Sequence, residues 1–132
     1  MNLLSWLFGK SFGRRTSVSQ KTEDLIKRDW EQIGVLLDQK GPSQLKQALI
    51  KADKSLDNAL KDMFDGDVGD VMADRLKAAK TRFDIVTYNK IWEAHKVRNA
   101  LVHESGYEPP YYVLTEAVEH LRRGLERLGI NV

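Results

Sequence analysis

The stretch SQLKQALIKADKSLDNALKDMF, residues 43 to 64, sets Leu45, Leu49, Ala52, Leu56, Leu60 and Met63 at steps of three and four. That period gathers all six on one face of an α-helix, whereas a half-buried strand would alternate at every second position. Lys40-Gly41-Pro42 interrupts the pattern just before it, and Ser43 stands where a cap is expected. The spacing predicts a helix from about 43 to 64. An apolar stripe of this length needs partners, and the flanking sequence supplies them.

Upstream, Ile26, Trp30, Ile33 and Leu37 predict a helix over 22–39. Downstream, Met72, Leu76, Ala79 and Phe83 mark a short helix. Ile91, Ala94, Val97 and Leu101 mark another over 84–104, closed by Ser105-Gly106 and Pro109-Pro110. Leu114, Val118, Leu121, Leu125 and Leu128 form the last stripe, which Gly129 ends. No alternating run and no internal repeat interrupts this pattern. The expected fold is all-α, an up-and-down four-helix bundle with one additional short helix, its short connections favouring antiparallel neighbours.

The chain has 132 residues, 42% hydrophobic and 30% charged, which suits a single folded domain and not a disordered one. It contains no cysteine, which excludes disulfides and thiolate chemistry and fits a cytoplasmic setting. The formal charge is +2, unevenly spread. Residues 1 to 21 carry Lys10, Arg14, Arg15 and Lys21 with no acid, leaving 17 basic against 19 acidic groups and a balance of −2 in the rest. Any affinity of the body for nucleic acid must come from a local patch.

The chain divides into a basic, apolar tail over 1–21 and a helical bundle over 22–132. In the tail, Leu3, Leu4, Trp6, Leu7 and Phe8 fall far short of the roughly 20 apolar residues of a spanning helix. They lack the features of a secretory signal. A loose tail packing on the body is one expectation. Peripheral membrane-surface contact through these five residues, beside Lys10, Arg14 and Arg15, is the weaker one. The segment FDGDVGD, residues 64 to 70, does not match a calcium-loop spacing and is expected to be a solvated turn.

The helix over 84–104 carries the chemistry. His95, Asn99 and His103 follow one another at four-residue steps and share a stripe, while Arg98 falls on the apolar line of Ile91, Ala94 and Leu101. A guanidinium drawn toward a core needs an anionic partner. Asp53 lies on the line of Leu49, Leu56 and Leu60 in the helix over 43–64, so an Asp53 to Arg98 contact across two helices is expected. A metal site is not: His95 and His103 stand about 12 Å apart along a helix, too far to chelate one ion. His120 falls outside the last apolar stripe and is expected to be exposed.

RNALVHE, residues 98 to 104, resembles the R-x(4–6)-H signature of the HEPN superfamily (higher eukaryotes and prokaryotes nucleotide-binding domains), in which asparagine commonly follows the arginine. The resemblance implies a HEPN-like bundle, a homodimer whose two motifs line a shared cleft, and metal-independent endoribonuclease activity in a toxin, defence or RNA-processing role. Carried onto this sequence, it gives Arg98 the scissile phosphate, His103 the proton transfers and Asn99 an orienting hydrogen bond. Asp53, His95 and Glu104 are the candidate supporting residues. No cofactor and no metal are implied. The implied partners are RNA, a second copy and an antitoxin or other regulatory protein. Some family toxins carry an H-x-Y extension whose tyrosine is modified. Here Ser105 takes that place and Tyr107 lies two residues further on. Other members are catalytically inactive nucleotide-binding, RNA-binding or protein-interaction bundles, the alternative function for this chain.

The residue types suit RNA. Histidine titrates near neutrality and can move the proton of a ribose 2′-hydroxyl. Arginine stays charged and its fork matches two phosphate oxygens. The expected product is a 2′,3′-cyclic phosphate, and DNA would not be cut.

Overall fold

A computed structural model describes residues 18–64 and 68–132. The expectations for residues 1–17 of the tail, including its membrane contact, lie outside the described residues, as does the middle of FDGDVGD. The described chain is all-α: α1 (Gln20–Gln39), α2 (Pro42–Phe64), α3 (Met72–Ala78), a 3-10 turn (Lys80–Arg82), α4 (Ile85–His103) and α5 (Tyr111–Arg127). No helix among the described residues is long and apolar enough to cross a membrane.

The ends of the helices follow local chemistry. Ser19 caps α1, its hydroxyl accepting from the Thr22 backbone N–H, so the helix starts before the expected Thr22. The Ser19 N–H in turn donates to Asp62 of α2 at 2.6 Å, which ties this start to its neighbour. α2 begins at Pro42 and not at Ser43, with the Leu45 N–H donating to the Gly41 carbonyl. Proline suits a first helical position because its missing N–H would have had no partner there. After α5, Gly129 at φ +91° lets the Gly129 and Ile130 N–H groups reach back to Glu126 and Leu125, both at 2.9 Å. This closure needs a left-handed residue, and it drives Ile130 into the core.

α2 is the hub of the bundle, packing against α1, α3, α4 and α5. Contact on several sides explains why its buried surface is wider than the expected stripe, taking in Ala48, Ser55 and Ala59 beside Leu45, Leu49, Ala52, Leu56, Leu60 and Met63. Each large apolar side chain removed from water there contributes about 1.5–3 kcal/mol. Where α5 crosses, Gly124 has no side chain to spare: a Cβ would stand 2.8 Å from Ile91 Cδ1. The buried Ser55 hydroxyl in the α1–α2 seam is satisfied twice, because it accepts from Trp30 Nε1 at 2.9 Å and donates to the Ala52 carbonyl at 2.7 Å.

Candidate functional site

α4 owes its start to Asp84, whose carboxylate accepts the Thr87 N–H at 3.0 Å. Hydrogen bonding to Thr87 holds the Asp84 pKa below its ordinary value. From there Tyr88, Ile91, Ala94 and His95 turn inward, which presents His95 to α2. The residue waiting on α2 is Asp53, only 3% exposed, with His95 at 7%.

Both Asp53 oxygens approach His95 Nδ1, at 3.0 and 3.1 Å. A carboxylate can only accept, so Nδ1 carries the hydrogen and Nε2 is left as the acceptor of the neutral ring. Nε2 faces the Asn99 amide nitrogen at 3.4 Å, one turn further along α4. The Asn99 carbonyl oxygen accepts from Arg98 Nη1 at 3.0 Å, which sets the amide with its NH2 toward the imidazole. Arg98 Nε is buried without a hydrogen-bond partner and stands 3.7 Å from Asp53 Oδ2. The carboxylate is therefore shared: His95 takes its hydrogen bonds, and Arg98 takes its charge at slightly longer range. The Trp92 ring meets the imidazole edge-on at 6.0 Å.

These four residues form one wall of an open groove of about 610 Å³. Lys54 and Lys61 of α2 line it as well, and α3 closes the far side. That far side is built on Arg75, which is buried and holds Asp57 through Nε at 2.6 Å and Nη2 at 3.0 Å while donating to the Gly69 carbonyl at 3.2 Å. Donating to Asp57 raises the Arg75 pKa above its already high value. The Arg98 side chain is 31% exposed, and its Nη2 makes no hydrogen bond among the described residues.

The structure thus brings together Asp53, His95, Arg98 and Asn99 and leaves two candidates outside the cluster. His103 is the last residue of α4 and Glu104 its C-cap; both are exposed, and neither side chain makes a hydrogen bond or ion pair among the described residues. Because α4 is continuous to His103, that residue lies about 7.5 Å further along the axis and about 140° around from Arg98. His120 differs from expectation in being half-buried, since α5 lays it beside Val97 and Glu93 of α4. That burial, followed by the charge of Lys90, lowers its pKa from the ordinary 6.5. The Arg75–Asp57 pair was not anticipated, although the signal resembles that of Arg98: Arg75 sits three after Met72 and four before Ala79, a cation on an apolar line. No group of histidine and carboxylate side chains suited to hold a metal ion occurs among the described residues.

No protein-family model matches the chain, nor does any curated protein or solved structure.

Proposed function

We propose that this chain is a HEPN-type, up-and-down four-helix bundle that works in the cytoplasm as a homodimeric, metal-independent endoribonuclease. The observation that carries this reading is the setting of Arg98. Its guanidinium is held from behind by Asn99 and the Asp53 charge, while its outer edge opens on a groove that holds Lys54 and Lys61 beside Asp57 and Asp70. A fixed fork with free N–H groups suits a phosphodiester, because two equatorial oxygens can be met without reorganising the site as charge builds.

In this reading His103 reaches the phosphate from a second copy, since within one chain it points away from the Arg98 groove. The surface around it supports such a contact. Val102, Tyr111 and Tyr112 are exposed at the same end of the α4–α5 pair, and burying them would favour association. A second reading, a catalytically silent RNA-binding or protein-interaction bundle, is favoured by that same position of His103 if no second copy meets it. An antitoxin or other regulatory protein would then act on the exposed α4–α5 end.

The two readings separate in one assay. Purified protein in EDTA should cut single-stranded RNA, Arg98→Ala and His103→Ala should remove the cutting with the helical circular dichroism unchanged, and light scattering should give twice the chain mass. Folded wild-type protein that leaves RNA intact, as monomer or dimer, would favour the silent reading instead.

A further inference from the structure

We infer that His95, oriented by Asp53, is the general base of the cleavage, a catalytic group on the same chain and the same helix face as Arg98. The inference rests on the RNA-cleaving reading above and deepens it. Displacement by a ribose 2′-hydroxyl runs in line, so the entering and leaving oxygens lie on opposite sides of the phosphorus. One proton must leave the 2′-oxygen and another must reach the 5′-oxygen. Two groups on opposite sides serve this better than one, and the R-N-x-x-x-H motif supplies only one histidine per chain.

The second histidine is already placed. Its Nδ1 is pinned on a nearly fully buried carboxylate by contacts of 3.0 and 3.1 Å, which fixes the tautomer with a lone pair on Nε2. Nε2 is on the opposite edge of the ring, toward Asn99, and both residues line the groove. The 3.4 Å contact from Asn99 is long, and a substrate hydroxyl can take its place while the Asn99 carbonyl stays on Arg98. Arg98 follows His95 by three residues, about 4.5 Å of helix rise, so base and phosphate binder address the same space.

The step balances with the groups named. The 2′-hydroxyl gives its proton to His95 Nε2 as the O2′–P bond forms. Arg98 meets the charge on the non-bridging oxygens. The P–O5′ bond breaks as O5′ takes a proton from His103 of the second copy. The products are a 2′,3′-cyclic phosphate and a 5′-hydroxyl end, and His95 returns its proton to water.

The test uses the full-length chain and two oligoribonucleotides, one normal and one carrying sulfur in place of the 5′-bridging oxygen at the cut position. A leaving thiolate needs no proton, so loss of a general acid is rescued on the sulfur substrate and loss of a general base is not. His103→Gln should fail on the oxygen substrate and recover on the sulfur one. His95→Gln should lose at least about 100-fold in kcat on both, with KM within about twofold. Asp53→Asn, which keeps the shape of the carboxylate, should lose at least about tenfold in kcat on both substrates, and it carries the test if His95→Gln does not fold by its urea melt. A folded His95→Gln with wild-type kcat, or one rescued by sulfur, overturns the assignment of His95 alone. Wild-type protein that cuts neither substrate overturns the RNA-cleaving reading and this inference with it.

Discussion

The shared carboxylate makes a quantitative demand. In a double-mutant cycle with Asp53→Asn and Arg98→Gln, the first change keeps an oxygen for the His95 N–H and removes the charge, while the second removes the guanidinium and keeps an amide of similar reach. The charges stand 3.7 Å apart. At an effective dielectric of about 20, attraction at that distance is about 4 kcal/mol. Arg98 is partly open to water, as its 31% side-chain exposure shows, and solvent screening reduces the coupling to about 1–2 kcal/mol. Urea unfolding followed by far-ultraviolet circular dichroism resolves a coupling of this size, and a melting shift of about 3–5 °C per kcal/mol gives an independent check. Losses that add to within about 0.3 kcal/mol would refute the reasoning, because pairs that interact do not add.

Three further outcomes are expected. Ser55→Ala leaves the Trp30 indole N–H without its buried acceptor and should lower stability by about 1–3 kcal/mol, read from the urea midpoint; an unchanged midpoint would mean that water replaces the hydroxyl. Among the described residues Arg75→Leu leaves Asp57 with Lys61 alone, at 3.7 Å, and should cost about 3 kcal/mol, most of which the added change Asp57→Leu should restore in the same melts. His120 binds its proton more weakly folded than unfolded, so its contribution is complete above the unfolded pKa near 6.5 and is lost as pH falls through the lower folded value. Wild-type stability should therefore drop more than that of His120→Gln between pH 7 and 5, and equal drops would contradict the assigned burial.

The helices were legible because their stripes are long and regular. Leu45 to Met63 and Leu114 to Leu128 each repeat over several turns, and the Gly/Pro breaks mark the boundaries within about two residues. Misplaced starts, Ser19 for Thr22 and Pro42 for Ser43, come from caps whose partners are chosen in three dimensions. At the site, the inward line of Arg98 and Asp53 was readable from the helical wheel. The closer Asp53–His95 contact was not, since a wheel gives direction and no distance, and it could not rank an imidazole and a guanidinium that both lie within 4 Å of one acid. His120 escaped for a related reason: a position outside an apolar stripe is still covered when the neighbouring helix lies over its flank. The motif grouped Arg98 with His103 by spacing in the chain, whereas the groove groups Arg98 with His95 across a turn of helix.

We propose that the Arg98 groove breaks RNA without a metal ion. This is tested most directly by incubating the wild-type chain and Arg98→Ala with a single-stranded oligoribonucleotide in EDTA and identifying the new ends by mass spectrometry. The wild type should give 2′,3′-cyclic phosphate ends and Arg98→Ala none. Intact RNA with the wild type, or the same ends from both proteins, would contradict the proposal.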